Sequence, residues 1–594
     1  MPLYTELPAD IESVDVIIAG GGTAACVVAS RLSDADPSLS ILVVEAGPNS
    51  YQDPTITVPF LFFSHLMPTS KTMTFHVGQP SPFLGDRPAI VPTAKVLGGG
   101  SAVNFLMYSR GQRSDFDSWA MPGWSADELL PYMKKFETYH GKCDTAVHGT
   151  DGPIHISEGT FSVPRATDTF VHVSEKMGWK EQPDISDLKT VNAVQRAKRY
   201  ISPQGQRQDA SHAYLHPRLM DGKHPNLHVV VESKVVSVTF DGDRASGVTF
   251  VSGGTTRTIK ASKQVVVSCG ACGTPPVLER SGIGAKDVLE RANVPVLVDL
   301  PGVGDGYEDH HTMTYQYKSD LAAEETLDGI ITGTFDIPGM LQRGDKITGW
   351  NCLEGTGKLR PDDKDLGHLG PQFQEVWDRD FKNQADRPLT LMVLIMGGEE
   401  PVPEGGQHFS MSVFTAYPYS RGHMHITGPG VDDPLDFDAG LFNDDNSIDL
   451  LTCRWAYKKQ REVARRLNIF RGEFKDKMPA YSANSKAKAE EYNKAVSSDT
   501  LADHEYTAED DAAIDEFIKK RVSTPWHSLG TAKMAPREAK GVVDETLSVY
   551  GIKGLKIADL SICPKNVAAH TNATAFMVGE KAADILIKEL GLGA

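Results

Sequence analysis

Near the N-terminus stands Gly20-Gly21-Gly22-Thr23-Ala24-Ala25, which fits G-x-G-x-x-G/A with Ala25 in the last place. Each residue type there has a physical task. Gly20 permits a tight turn, Gly22 lets backbone approach a pyrophosphate, and a small last residue lets a helix pack on a strand. The N–H groups at the start of that helix, with the positive end of its dipole, suit phosphate oxygens. Glu45 follows Gly20 by 25 residues and places a carboxylate where ribose hydroxyls would lie. Alone, the glycine run is compatible with a plain tight turn. With the acid it predicts a dinucleotide site, without separating NAD from FAD.

Other side chains that could do chemistry read more quietly. Cys269-Gly270-Ala271-Cys272 has CxxC spacing, but no second pair completes a metal site and Pro275-Pro276 follow. We read it as a strand end with small thiols. His310 and His311 are adjacent, and adjacent rings rarely share one metal, so no metal centre is expected. Phe60, Phe62, Phe63 and Phe105 could wall a small apolar pocket or belong to the core.

The surrounding pattern supplies elements to position the glycine turn. Val14–Ala19 is a β-branched run ending at Gly20, Ala24–Leu32 reads as a small-residue helix, and Ile41–Glu45 as a buried strand. Strand, glycine turn, helix and strand make a βαβ unit with a parallel sheet. The Pro- and Phe-rich stretch from about 50 to 95 is expected to be loops over the core. Asn226–Val251 alternates as antiparallel strands do, and Gln264–Ser268 is another buried strand. The charged run Lys475–Asp515 reads as a solvated face of helices and a loop. A strand at Leu555–Ala558 and a helix at Thr574–Leu590 close the chain.

Composition sets the outer limits. The 594 residues leave room for about four domains. Sixty basic against 78 acidic side chains give a formal charge of −18, which disfavours nucleic acid and anionic lipid as main partners. No stretch approaches the roughly 18 uncharged apolar residues that a membrane span needs. Seven cysteines form no disulfide framework, and the N-terminus lacks a basic, then apolar, leader. With no Ser-Lys-Leu type ending, the expected location is intracellular, cytoplasmic rather than peroxisomal.

Four separated motifs carry a resemblance. They are the N-terminal fingerprint with Glu45-Ala46-Gly47-Pro48, the run from Ala94 to Asn104 around Gly98-Gly99-Gly100, the run from Gly270 to Gly284, and the C-terminal segment holding Thr524–Thr531 and Asp559–Thr574. In these the chain resembles the glucose–methanol–choline (GMC) oxidoreductases, and within them the fungal alcohol (methanol) oxidases, nearly end to end. The resemblance implies an α/β fold: a Rossmann-like FAD-binding domain with a discontinuous α+β substrate-binding domain. The FAD domain would be assembled from 1–160, 205–315 and 525–594, and the substrate domain from 160–205 and 315–525.

The resemblance also implies roles. His527, in Thr524-Pro525-Trp526-His527, matches the family's active-site histidine, and His570 matches its second position, occupied by His or Asn. The methanol oxidases carry Asn there, so this chain departs from them and the expectation moves away from methanol itself. A neutral imidazole can take a hydroxyl proton while hydride leaves for flavin N5. Some members bond flavin covalently through a histidine where this chain has Val103, so non-covalent FAD is expected. Asn104 is expected to hydrogen-bond near the isoalloxazine, and Asp559 to sit near the ribityl or phosphates. Further FAD contacts are implied for Gly20, Gly22, Thr23, Ala24, Glu45, Ala46, Val96, Gly99, Leu106, Met107, Val235, Trp526 and Thr571, and a pocket wall for Phe105 and Trp526. The implied reaction is oxidation of a primary alcohol to the aldehyde, with O2 reduced to H2O2. The alternatives are a quinone-dependent dehydrogenase, an oxidase of formate or another small donor, and a non-redox hydroxynitrile lyase. A homo-oligomer is compatible with all of them.

Overall fold

Strand Ser13–Ala19 is buried without a break from Val16 to Ala19, as a central parallel strand must be when helices cover both faces. It ends in Gly20, whose φ of +100° only glycine adopts without strain. Helix Thr23–Ala35 follows, then strand Ile41–Val44, fully buried and parallel to the first in the register Val16↔Ile41 to Ala19↔Val44. These elements belong to a computed structural model that describes residues 2–398, 405–492, 494 and 501–593.

The βαβ unit is the centre of an eight-stranded sheet. Its order is Leu3–Tyr4, Leu227–Val230, Ile41–Val44, Ser13–Ala19, Thr255–Val267, Arg244–Ser252 and Ser233–Asp241, and Leu555–Ile557 pairs with Thr255–Val267. The 13-residue strand Thr255–Val267 is longer than the Gln264–Ser268 run suggested. Its first half pairs antiparallel with Arg244–Ser252, its second half parallel with Ser13–Ala19 and Leu555–Ile557. The carboxyl ends of the parallel strands lead into Gly20, Glu45, Gly270 and Asp559, which is where open α/β sheets bind ligands. The final helix, Asn572–Glu589, crosses Thr23–Ala35 through Gly579, where a Cβ would lie 2.9 Å from that of Val27.

A second sheet has seven strands in the order Phe470–Glu473, Thr312–Ser319, His408–Thr415, Thr390–Ile395, Leu353–Leu359, Ala193–Arg196 and Lys180–Glu181. All pairings but the last are antiparallel. Helix Ile448–Arg466 packs on this sheet.

Two expectations change. The stretch from 50 to 95 is not only loops: Met73–Ser81 and Arg87–Ala94 form an antiparallel hairpin. Three prolines inside those strands hid the pattern, because proline in a strand reads as a breaker. The charged run is not only a solvated face either. Its Glu490 and Asp503 pair with the buried Arg465 and Arg466 of helix Ile448–Arg466. Of this run, 493 and 495–500 lie outside the described residues, as do the chain ends Met1 and Ala594.

Candidate active site

Three imidazoles meet where the two sheets face each other. His527 Nε2 lies 3.2 Å from His570 Nδ1, and His527 Nδ1 lies 2.7 Å from His310 Nδ1. Their protons follow from the outermost contact. His310 Nε2 is 3.0 Å from the Val567 carbonyl, which can only accept, so Nε2 carries the hydrogen. A neutral His310 then has a lone pair at Nδ1, and His527 must donate Nδ1–H to it. That leaves a lone pair on His527 Nε2, facing the Nδ1–H of His570. The tautomers are thus assigned by the network, each from its neighbour.

The electrostatics keep this chain neutral. Burial holds His527 well below the ordinary imidazole pKa, and His310 and His570 push it the same way. Burial likewise pulls His310 down to about 3 and His570 down to about 4. Asp309 sits behind His527 and accepts its backbone N–H at 3.0 Å and the Tyr307 hydroxyl at 3.0 Å. Burial pushes that carboxyl up to about 7 in spite of these bonds.

Asp309, His310 and His527 offer ligand atoms all within 4.8 Å of one another. The geometry favours proton sharing. Two nitrogens on one tetrahedral zinc, each at about 2.0–2.1 Å, would stand roughly 3.3 Å apart, and the two Nδ1 atoms are 2.7 Å apart.

The residues around the imidazoles come from distant parts of the chain. Ser109 Oγ accepts the His570 backbone N–H at 2.8 Å, and Asp115 accepts that of Ala568 at 2.8 Å. Asp115 also accepts the Tyr417 hydroxyl at 2.6 Å, which ties the His570 loop to the end of a strand in the second sheet. From that sheet comes Phe414, with ring centroids 5.1, 5.6 and 5.0 Å from His310, His527 and His570. A continuous aromatic wall runs Phe62, Phe63, Phe105, Trp526, the last pair edge-to-face at 5.1 Å. Leu106 and Trp526 both hold positive φ, +58° and +64°, a strain that persists only where neighbours over-determine the backbone.

The two glycine clusters are in contact. Gly98 N–H donates to Gly21 O at 2.8 Å, Ser101 N–H to Thr23 Oγ1 at 3.2 Å, and a Cβ on Gly99 would lie 2.7 Å from Gly22 Cα. Glu45 accepts N–H from both Gly21 and Gly47 at 2.7 Å, so it also organises these turns, beyond the ribose role expected of it. Val235 lies two residues after Ser233, whose N–H reaches Glu45 O. Asp559 accepts from Gly270 N–H, Thr274 Oγ1 and Ser561 N–H, bracing the turns after two strands.

The cradle is open at three of its glycines. A Cβ would meet nothing within 4 Å at Gly100 and Gly270, and at Gly22 only Ser268 O at 3.9 Å. Helices Thr23–Ala35 and Asn572–Glu589 start at Gly22 and Thr571 with no side-chain cap, and their first N–H groups are free for an anion. Buried Asn566 Nδ2 has no protein partner. Ala24 is buried in the first turn of its helix and Ala46 is half-buried beside Glu45.

Asn104 Oδ1 accepts from Arg207 Nη1 at 3.0 Å and from Leu106 N–H at 3.0 Å. Val96 packs with Ile56, Ala102 and Val103, and Met107 against Ala197, Leu353 and Val393. Sequence reasoning passed over His310. The signal was its place beside the Gly304–Asp309 turn, but its partner is 217 residues away. His311 points elsewhere: its Nε2 accepts the Phe442 N–H. Cys269 and Cys272 are unbridged, and the Cys269 thiol donates to Ala19 O.

Known proteins are similar to this chain over nearly its whole length. The alcohol oxidase of Candida boidinii is 38% identical, covering 98% of this chain and 96% of its own. That of Pichia angusta is 36% identical with the same coverage. Among solved structures, the formate oxidase of Aspergillus oryzae RIB40 superposes with a TM-score of 0.81 at 24% identity, over 97% of this chain and 98% of its own. The family model for GMC oxidoreductases matches residues 14–312 and 418–579. With turns, sheet and histidines in place, the chain is a member of the GMC oxidoreductase family.

Proposed function

We propose that this protein is an FAD-dependent alcohol oxidase, converting a primary alcohol to the aldehyde with O2 as electron acceptor and H2O2 as product. The observation that carries the reading is the unprotonated Nε2 of His527, fixed by a chain of neutral imidazoles and set 3.2 Å from a second donor. FAD, when bound, supplies the acceptor for the hydride from the carbinol carbon. His570 Nδ1–H donates a hydrogen bond to the alcohol oxygen, and His527 Nε2 takes the hydroxyl proton. The imidazolium so formed passes no proton to His310, whose Nδ1 accepts the Nδ1–H hydrogen bond and keeps the ring in one orientation. Phe414 and the Phe105–Trp526 wall exclude water, which strengthens each of these interactions.

The two glycine clusters and the start of helix Thr23–Ala35 would hold FAD, whose pyrophosphate would suit the uncapped N–H groups there. Gly20, Gly22, Gly99, Glu45 and Asp559 build that cradle. We take the cofactor as non-covalent, because Val103 carries no nucleophile. The eight-stranded sheet belongs to the FAD domain and the seven-stranded sheet to the substrate domain. All seven cysteines are free, which supports a reducing compartment.

The test is anaerobic mixing of the yellow protein with short, long and aromatic primary alcohols, then air. We expect bleaching, then fast recovery with peroxide. Recovery only on adding a quinone would make the protein a dehydrogenase, and no bleaching by any alcohol would overturn the reading.

A further inference from the structure

Arg207 is a buried cation, 3% exposed, that forms no ion pair among the described residues. Its Nε donates to Ile56 O at 2.7 Å, and its Nη1 to Asn104 O at 2.8 Å and Ser101 O at 3.3 Å. Its Nη2 has no protein partner. Asp209 acts on it only through space, because both oxygens of that carboxylate are taken by Ser211 and His212. Burial pulls the guanidinium down to about 10, so it stays charged at neutral pH. A buried charge bonded only to neutral oxygens is costly, and its field is left uncompensated.

The fourth oxygen that this guanidinium meets is Asn104 Oδ1, at 3.0 Å, which also accepts the Leu106 N–H at 3.0 Å. Both partners are donors, so the atom between them is the oxygen, and a turned amide would set N–H against N–H. The bond to Leu106, two residues on, is an Asx-turn that holds Leu106 at its φ of +58°. The amide is thereby locked, with Nδ2 on its free edge. Among the described residues no acceptor meets Nδ2, and Asn104 is half-buried where Ser101, Ala102 and Val103 before it are buried. It stands four residues after Gly100, where the cradle is open, and directly before Phe105 of the aromatic wall. We propose that Arg207 is a positioning residue for the cofactor: it fixes the Asn104 amide so that Nδ2 donates a hydrogen bond to an oxygen or nitrogen acceptor of the flavin ring. The proposal rests on the FAD reading above. The amide hydrogen and the guanidinium charge behind it act in one sense. Each favours negative charge on the ring, which grows as flavin takes up hydride, so together they favour the reduced cofactor.

The experiment is the midpoint potential of the bound flavin, read without alcohol by equilibration with a reference dye under nitrogen. The proteins are the flavin-loaded wild type, Asn104→Asp, Arg207→Met and Arg207→Lys. N104D keeps the shape and the bond to Arg207 but turns the free donor into a negative acceptor. Its ratio of reduced to oxidised flavin, at one dye ratio, should fall by about tenfold or more, the size of a hydrogen bond to a charged group. R207M should fall in the same sense by less, and R207K should stand nearer the wild type because it keeps the charge. A merely structural Arg207 would lower melting and leave the potential in place, which would overturn the proposal. So would a wild-type potential in N104D, a variant that carries the test even if R207M does not fold. A wild type that purifies without flavin would overturn the FAD reading and this proposal with it, a failure told apart by the missing colour.

Discussion

The two large sheets contribute to the site in opposite ways. The eight-stranded sheet sends short turns off the ends of parallel strands, and those turns bring Gly20, Glu45, Gly270 and Asp559 to the cradle. Its last pieces also carry His527 and His570. The seven-stranded sheet sends Phe414, an apolar ring against all three imidazoles, and the Tyr417 hydroxyl that steadies Asp115. On the function proposed above, one sheet supplies the groups that react, and the other supplies the dry ceiling that keeps them neutral. The pKa of each imidazole is low because of burial first. The ceiling is therefore as much a part of the base as the ring that holds the lone pair.

The contrast predicts graded effects. The largest belongs to the first sheet. His527→Ala should leave flavin bound and cut the rate of anaerobic flavin reduction by about 10²–10⁴-fold, the usual span for losing a general base. Near-normal reduction would remove His527 from the chemistry. His310→Ala comes next. It touches no substrate but frees His527 to place its proton on either nitrogen, and we expect a roughly 10–100-fold loss in kcat, as when an imidazole loses the partner that fixes its tautomer. His310 also holds the His527 pKa down, so its removal should move the acid limb of the rate profile to higher pH. A purely structural His310 would lower stability and leave that limb in place. The smallest effect is expected in the second sheet: Phe414→Leu keeps apolar volume and should change kcat by less than about threefold. A drop as large as that of H310A would mean that the ceiling does more than exclude water.

Stability should follow pH in the same sense. His310 and His570 have folded pKa values below the ordinary 6.5, at about 3 and about 4. Such groups contribute stability that is present above 6.5 and lost as pH falls toward those values, because the unfolded chain takes up protons first. Melting of the wild type should therefore decline from pH 6.5 to 4, less steeply in H310A.

How much of this could be read in the residues varied with range. The βαβ unit was plain, since strand, glycine turn and helix follow one another within about 30 residues and each obeys a local rule. The hairpin at 73–94 was not, because its prolines and missing alternation gave the wrong local signal. His310 was passed over for a different reason. Its meaning depends on His527, 217 residues on, and on a carbonyl of Val567 that no residue type announces. Nor did any local rule foretell that the Asn104 oxygen accepts from Arg207, a buried guanidinium otherwise bound to backbone carbonyls.

The amino-acid sequence alone determined the dinucleotide cradle and the family resemblance, since both rest on glycines and small residues whose backbone freedom is a property of residue type. It also pointed to His527 and His570, though not to His310. Only the tertiary structure decided which nitrogen of His527 is bare, how dry the site is, and which edge of the Asn104 amide is free. Tautomer, burial and exposure are relations between distant segments, and a hydrogen bond or a desolvated ring exists only once those segments have packed.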